Sequence, residues 1–284
     1  MQFMRDEYKR RIHLWIETLK SDLYEPLGEI TWKACRTNEN LSPEQALAGV
    51  FTPAGDGFTW GNEWEYCWFH GNITLPEQAE GKRIVLNLNP GGESTLFVNG
   101  ESFGTYRSDL CNVIFEKIHY IQDNTITRNG KCGERFDILM ETYAGHFIPQ
   151  REQGCIYGPV LGGNPLNDSL EKGKRCVLGK CSYGIWNEEA YQLYLDVVTL
   201  GRLLEVIDRT TLRAAKIEEA LEKFTLTVDF EQGKENRQKC YAETRKMLEP
   251  LLSSKNGSTV PEFYAIGNGH IDMAWLWPMD ETCR

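Results

Sequence analysis

The chain has 284 residues, of which 41% are hydrophobic and 25% are charged, a composition typical of a globular protein with room for two domains. Its formal net charge of −10 argues against nucleic acid and anionic membrane as partners and fits a neutral substrate. No stretch approaches the roughly 18 apolar residues of a membrane span, and the charged N-terminus lacks the apolar core of a secretion signal.

The nine cysteines are an odd number and are scattered without any Cys-x-x-Cys motif. Cys176 and Cys181 form the nearest pair. This pattern indicates neither a disulfide framework nor a zinc ribbon. We therefore predict a reduced, cytoplasmic protein in which most cysteines behave as small buried hydrophobic side chains.

The first predicted element is an amphipathic helix over residues 4–24. Apolar side chains recur at helical spacing, with charged residues opposite them, at Tyr8, Ile12, Trp15, Ile16, Leu19 and Leu23. Pro26 and Gly28 are expected to end this helix. Residues 1–29 are therefore predicted to form an N-terminal amphipathic helix that packs against another part of the protein.

Short strands separated by regular turns are predicted between residues 30 and 185. Alternating apolar residues mark strands, for example Phe136, Ile138 and Met140. Asn99-Gly100 is a strong signal for a two-residue hairpin. Further turns are predicted where glycine occurs with Asp, Pro or Asn, at 55–57, 90–92 and 129–130. This pattern predicts a β-sandwich, similar to a jelly roll, over residues 30–185.

Four aromatic residues of this domain, Trp60, Trp64, Tyr66 and Trp68, have two interpretations. They could form a sugar-binding platform, because aromatic faces stack on pyranose rings. Alternatively, Trp64, Tyr66 and Trp68 share one face of a strand and build the sandwich interior, which is the interpretation we favour.

Three histidines and one carboxylate of the same domain are further candidate site residues. Glu141 and His146 could form an acid–base pair, but a structural role is favoured because no second carboxylate accompanies them. His70 and His119 have no evident partner in the sequence.

A glycine- and proline-rich loop is predicted over residues 150–175, and it lacks the Gly-Lys-Ser/Thr of a phosphate-binding loop. Helices resume after Asn187, a favourable N-cap followed by two glutamates. The expected apolar stripe is Tyr191, Tyr194, Leu195, Val198 and Leu203. Further helices near 212–223 and 235–252 and a linker at 253–258 complete a helical connector, residues 186–258.

Residues 259–284 are predicted to begin an α/β barrel. Residues 263–266 are apolar on both faces, as in a buried parallel strand. His270 and Asp272 follow, and side chains two residues apart on a strand point to the same face. An imidazole and a carboxylate are ordinary zinc ligands, and polar residues at the C-terminal end of a barrel strand usually belong to the active site. A His-x-Asp pair is also frequent by chance, and the nearby Trp275 and Trp277 suit a core as well as a pocket wall.

The whole string Gly269-His-Ile-Asp-Met-Ala-Trp-Leu-Trp-Pro278, followed by Glu281-Thr282, resembles the first catalytic motif of glycoside hydrolase family 38, the α-mannosidases. It looks most like the branch that lacks a secretion signal and carries an extra N-terminal β domain. Weaker resemblances to that β domain and to the helix before the catalytic domain occur at 98–100, 141–146 and 191–196. The resemblance is collinear over residues 1–260 and strong over 265–284.

The resemblance implies roles for single residues. The histidine and aspartate of the family motif bind the catalytic metal, usually zinc, and they match His270 and Asp272. The tryptophan that packs on the bound mannose matches Trp275. The family's nucleophile, acid/base carboxylate and second metal histidine lie further along, so no catalytic residue is expected in this chain. One imidazole and one carboxylate suit zinc best, but manganese, cobalt and calcium remain open.

The predicted fold class is therefore mixed: an N-terminal helix, a jelly-roll-like β-sandwich, a helical connector and the first strand of a truncated α/β barrel at 259–284. A parallel strand needs neighbours on both edges, so residues 262–284 are expected to be disordered or packed non-natively, with their apolar side chains exposed.

The predicted function is the N-terminal part of a metal-dependent, retaining α-mannosidase that hydrolyses terminal α-mannosides of oligosaccharides, inactive as this chain alone. Its expected partner is a mannose-containing oligosaccharide, without nucleic acid or membrane, and a homo-oligomer is left open. The alternative is a non-catalytic carbohydrate-binding or assembly β-sandwich module.

Overall fold

A computed structural model describes residues 6–62, 64–107, 121–145, 176–255, 263–269, 273 and 279–282. The chain divides into two compact units. The β unit comprises Pro26–Ile185 and Gly267–Arg284, and the helical unit comprises Met1–Glu25 and Trp186–Ile266.

The strands form antiparallel sheets in every pair whose register is defined among the described residues. They are β1 Tyr24–Glu29, β2 Trp32–Thr37, β3 Thr52–Ala54, β4 Thr59–Trp60, β5 Tyr66–Thr74, β6 Ile84–Asn87, β7 Glu93–Val98, β8 Glu101–Arg107, β9 Thr125–Thr127, β10 Arg135–Tyr143, β11 Cys176–Val177 and β12 Ser182–Trp186. A six-stranded sheet has the order β3-β2-β5-β10-β7-β8, a four-stranded sheet the order β1-β12-β6-β9, and β11 pairs with β4. The predicted β-sandwich is confirmed.

The sandwich interior contains side chains from both large sheets. Phe69 and Met140 of the six-stranded sheet and Ile84 and Leu86 of the four-stranded sheet are fully buried in one cluster. Phe69 makes edge-on contacts at 5.9–6.3 Å between ring centroids with Trp32, Phe58 and Trp60. Edge-to-face packing of this kind adds to the free energy gained by burial alone.

The opposite face of the six-stranded sheet carries a second, smaller cluster. Because successive strand residues alternate between faces, Cys67 and Phe69 point into the sandwich whereas Trp68 points away from it. Trp68 packs with Leu139 and with Ala46 of the short helix α2, Pro43–Leu47. Ser42 fixes the start of α2 with a capping box to Gln45.

The hairpin predicted at Asn99-Gly100 is confirmed. These two residues join β7 to β8 with φ angles of 53° and 82°. Positive φ at both central positions is the geometry of the tight turn that matches strand twist. The turns predicted at 55–57, 90–92 and 129–130 also lie between strands.

The prediction that Pro26 and Gly28 end the first helix is wrong. Helix α1, Asp6–Ser21, ends earlier, and both residues lie within strand β1. β1 is at the edge of its sheet, where proline is tolerated because one side of the strand needs no hydrogen-bond donor. Glycine is needed at position 28 of the strand because a Cβ there would lie 2.7 Å from the hydroxyl oxygen of Tyr183.

The helical unit contains α1 and three further helices, which confirms the predicted helical stretches. They are α3 Glu188–Val206, α4 Leu212–Thr227 and α5 Lys234–Leu252. Asn187 caps α3 as predicted, with its side chain accepting a hydrogen bond from the backbone N–H of Ala190. The buried positions of α3 differ from the predicted stripe, since Leu195, Val198 and Leu203 are only half-buried while Leu193, Val197, Leu200 and Leu204 are buried. α3 contacts α1, α4 and α5, so it buries more than one face.

Asp22 joins the end of α1 to α5. Its carboxylate accepts hydrogen bonds from Nε and Nη2 of Arg237 at 2.7 and 3.3 Å and from the Tyr241 hydroxyl at 2.5 Å. Since Tyr241 is buried, this cluster satisfies a polar group that would otherwise destabilise the unit.

No strand is present in the described residues 263–269, in line with the expectation that the barrel strand does not form without neighbours at both edges. A strand is stabilised by hydrogen bonds to neighbours, and the described part of the chain provides none for this segment. Phe263, Tyr264 and Ile266 are 92%, 83% and 87% exposed, in line with the expected exposure of apolar side chains. The other described residues beyond 269 include a helical turn, α6, Met279–Thr282. Among the helices described, none has the length and apolar character to cross a membrane.

Candidate functional site

The predicted metal ligands His270 and Asp272 and the predicted substrate contact Trp275 lie outside the described residues. The two glycines that precede them, Gly267 and Gly269, are described and exposed, and a Cβ at either would meet no atom within 4 Å. The assignment of the three residues rests on the sequence motif.

The chemistry of the donor set fits zinc. One imidazole nitrogen and one carboxylate oxygen would fill two of the four positions that zinc usually has in proteins. Elsewhere within the described ranges, no group of three or more His, Cys, Asp or Glu side chains is arranged to hold a metal ion.

The four aromatic residues near the start of β5 have different environments. Trp60 and Trp68 are fully buried and Tyr66 is buried, which confirms a packing role for these three. The prediction that Trp64, Tyr66 and Trp68 line the sandwich interior is wrong, because Tyr66 and Trp68 lie on the other face of β5. Trp64 precedes the strand and is only half-buried.

Trp64 has a left-handed backbone, with φ of 61°. Its indole lies nearly parallel to the Tyr143 ring, at 25° and 6.5 Å between centroids. Tyr143 is in turn 4.9 Å from Tyr66, its direct partner across strands β5 and β10. We call these three residues the aromatic row.

Glu65 fixes the backbone beside the aromatic row. Its buried carboxylate accepts two hydrogen bonds from Arg36, at 2.8 and 3.0 Å, and two more from the backbone N–H groups of Gly61 and Asn62, at 3.0 and 2.6 Å. Hydrogen bonding to the Glu65 carboxylate raises the pKa of the Arg36 guanidinium.

The acid–base pair considered for Glu141 and His146 is not seen. Glu141 lies on β10, opposite Trp68 and Thr95, with 4% of its surface exposed, and His146 lies outside the described residues. A carboxylate with so little exposure in a sheet is in keeping with the structural role favoured above.

His70 has a partner that the sequence did not indicate. Its Nε2 is 2.7 Å from Oδ1 of Asp137, which is 67 residues away in sequence. His70 faces Leu139 across the β5–β10 pair, and Asp137 lies two residues from Leu139 on the same face. Only the strand register reveals the proximity of His70 to Asp137. The other lone histidine considered, His119, lies outside the described residues.

The cysteines of the described residues are free thiols, as predicted. Cys67, Cys176 and Cys181 are buried, whereas Cys132 is exposed. Burial raises the pKa of the Cys67 thiol, and the nearby Glu65 carboxylate adds to this shift. Cys67 is therefore a packing residue and a poor nucleophile.

Comparison with known proteins gives one family match. Residues 26–162 match the model described as the jelly roll domain of α-mannosidase. Alpha-mannosidase 2C1 of Mus musculus is 21% identical over 266 residues, covering 94% of this chain and 23% of that protein. Alpha-mannosidase G of Dictyostelium discoideum is 22% identical over 284 residues, covering 99% of this chain and 24% of that protein.

The chain thus spans about a quarter of the length of the curated relatives it matches. Among solved structures, a β-glucuronidase from Ruminococcus gnavus in complex with uronic deoxynojirimycin has a TM-score of 0.36 at 13% identity, covering 58% of this chain and 29% of that one. A similarity of this size supports no assignment of function.

Proposed function

We propose that the chain is the N-terminal part of a metal-dependent, retaining α-mannosidase. The observation that carries the proposal is the match of residues 26–162 to the family's jelly roll domain, together with mannosidase relatives that align along nearly the whole chain. The proposed substrates are terminal α-mannosides of oligosaccharides. The net charge of −10 favours such neutral ligands over nucleic acid or anionic membrane.

The proposed organisation has four parts. Residues 1–29 supply the N-terminal segment, 30–185 the β-sandwich, 186–258 the helical connector and 259–284 the beginning of a catalytic α/β barrel. In this proposal the barrel continues in a longer protein, since the relatives are about four times as long. We also propose that the enzyme is cytoplasmic, in keeping with its free thiols.

His270 and Asp272 are the residues proposed to hold zinc, and Trp275 is proposed to pack on the bound mannose. A metal held there would act as a Lewis acid on hydroxyl groups of the bound mannose. Retention requires a carboxylate nucleophile and a second carboxylate that acts first as acid and then as base. No residue of this chain is assigned to either role, so the chain alone is proposed to be inactive.

The test compares two proteins, the 284-residue chain and the product of the complete reading frame, in hydrolysis of an aryl α-mannoside. We expect turnover only from the longer protein, and loss of that turnover in His270→Ala and Asp272→Ala. Exposed residues of the same types supply matched controls, His13→Ala in α1 and Asp56→Ala in the turn before β4, and both should retain activity.

Metal content gives a second readout. The longer protein should contain about one zinc ion per chain, and both site variants should lose the metal while remaining folded. Full activity in either site variant would refute the assignment. A reading frame that ends at Arg284 would instead favour the alternative of a non-catalytic carbohydrate-binding or assembly module.

A further inference from the structure

The backbone of Trp64 is strained. Among the described residues only Trp64 and Asn99 combine a positive φ with a side chain other than hydrogen. Asparagine adopts this conformation readily in tight turns, whereas a bulky aromatic residue rarely does. Such a conformation is unfavourable for a bulky side chain and persists only where surrounding contacts enforce it.

The contacts that enforce it lie on both sides of Trp64. On one side, the Glu65 carboxylate holds the backbone N–H groups of Gly61 and Asn62. On the other, the backbone N–H of Trp64 donates to the carbonyl of Gly145 at 3.0 Å, and that of Ala144 donates to the carbonyl of Glu65 at 2.9 Å. The segment before β5 is thereby tied to the end of β10, and Trp64 is fixed in place.

This strain sets the position of the indole. Trp64 extends the aromatic row beyond Tyr66 and Tyr143, which are both buried, and it keeps part of its own surface exposed. Core packing does not require such a conformation, because the fully buried Trp60 and Trp68 have ordinary backbone angles. A partly exposed tryptophan whose indole packs against a second aromatic ring is suited to stacking on a flat apolar surface.

We propose that Trp64 is a stacking platform for a pyranose ring on the β unit. Pyranoses present a flat C–H face that fits an aromatic ring, and they are neutral, as the acidic chain favours. The choice of mannose-containing oligosaccharides as ligands rests on the proposed function, whereas the platform itself rests on the strained backbone and the aromatic row.

Fluorine NMR of the 284-residue chain labelled with fluorotryptophan tests this proposal. The chain has eight tryptophans, and the resonance of Trp64 is assigned by its absence from Trp64→Gly. Titration with mannobiose should shift the Trp64 resonance in a saturable way. The Trp15 resonance, assigned with Trp15→Phe, should not move, because that indole belongs to the helical unit and donates to the carbonyl of Val228.

Trp64→Gly is also the test of affinity. Glycine accepts a positive φ without strain, so this variant removes the indole while permitting the same backbone. Mannobiose binding, measured by saturation-transfer NMR, should weaken about tenfold or more, which corresponds to about 1.4 kcal/mol. Trp64→Asn serves if the glycine variant does not fold, because asparagine also tolerates this conformation. Trp15→Phe should bind as the unaltered chain does.

An unmoved Trp64 resonance, or a folded Trp64→Gly variant that binds mannobiose with unchanged affinity, would overturn the proposal. If mannobiose and cellobiose shift the Trp64 resonance equally, the result would support a general pyranose platform and overturn the preference for mannose. Binding to this chain involves no hydrolysis, so a negative result here leaves the proposed mannosidase activity standing. Failure of the hydrolysis test likewise leaves the binding result interpretable.

Discussion

The Arg36 guanidinium and the Glu65 carboxylate form a two-point ion pair, with Nε–Oε1 and Nη2–Oε2 distances of 2.8 and 3.0 Å. The pair ties strand β2 to the segment that positions Trp64. Because the Glu65 side chain is only 6% exposed, its charge depends on these partners for solvation.

Removing the guanidinium should therefore destabilise the chain. Arg36→Met leaves a buried carboxylate with only its backbone donors, and we expect a loss of about 2–3 kcal/mol in the free energy of unfolding. Urea unfolding at neutral pH measures it. Lys33→Met on the same strand is the matched control, because Lys33 is exposed and should change stability by less than about 0.5 kcal/mol. Equal losses in the two variants would show that the ion pair does not stabilise the β unit.

Tyr241 should make stability depend on pH in the alkaline range. Burial and then the hydrogen bond to Asp22 raise the pKa of the Tyr241 phenol above its ordinary value of about 10. The folded protein thus keeps a proton that the unfolded chain releases. The stabilisation is complete below about pH 10 and is lost as the pH rises further.

Tyr241→Phe isolates this effect. At neutral pH the variant should lose about 1–2 kcal/mol, because the hydroxyl donates to a charged group, and the difference from the unaltered protein should shrink above about pH 10. Unfolding curves from about pH 7 to about pH 11 measure it. Tyr8→Phe, on the half-buried tyrosine of α1, is the control. The Cys67 thiol is present in both proteins, so its contribution cancels when their stabilities are subtracted. A stability difference between Tyr241→Phe and the unaltered protein that is constant with pH would contradict the account.

Alanine substitutions at Gly91 and Gly100 distinguish the cost of backbone strain from the cost of a steric clash. Their φ angles are 83° and 82°, but a Cβ on Gly91 would lie 2.4 Å from the carbonyl oxygen of Val177, whereas one on Gly100 meets nothing within 4 Å. Gly100→Ala should cost about 1–2 kcal/mol from the left-handed backbone alone. Gly91→Ala should cost at least about 2 kcal/mol more. Unfolding midpoints measure both, and similar losses would mean that the contact with Val177 relaxes easily.

Local signals in the sequence predict much of the fold. The Asn99-Gly100 turn and the Asn187 cap depend on neighbouring residues only, and the structure confirms both. Pro26 and Gly28 mislead because edge strands tolerate proline and because the need for glycine arises from Tyr183, which is far away in the sequence. The direction of Trp68 could not be predicted, because a strand buried on both faces has no polar face to orient it.

The residues of the candidate site are identified from the sequence motif, whereas most of the fold can be checked against the structure. His270, Asp272 and Trp275 are recognised as a motif, and the described residues do not include them. The conformation of Trp64 has no sequence signal, since it depends on a hydrogen bond from Asn62 to the Glu65 carboxylate and on one from Trp64 to the Gly145 carbonyl. The proximity of His70 to Asp137 likewise depends on strand register.

Residues 263–269 should exchange their amide hydrogens rapidly. They form no strand, and Phe263, Tyr264 and Ile266 are exposed. Without the hydrogen bonds of a sheet, their amides should exchange at rates close to those of an unfolded peptide. Hydrogen exchange with mass spectrometry measures this, with β5 as the protected internal reference. Strong protection of the amides of 264–269 in a monomeric chain would show that the segment is hydrogen-bonded to a neighbouring strand and contradict this expectation.

The central claim is that this chain provides the first part of a mannosidase active site through His270 and Asp272. Hydrolysis of an aryl α-mannoside by the product of the complete reading frame, with and without His270→Ala, tests it most directly. We expect metal-dependent turnover in the unaltered protein, none in the variant although it remains folded, and none from the 284-residue chain. Chelator-sensitive turnover by the 284-residue chain, or undiminished turnover in His270→Ala, would contradict the claim.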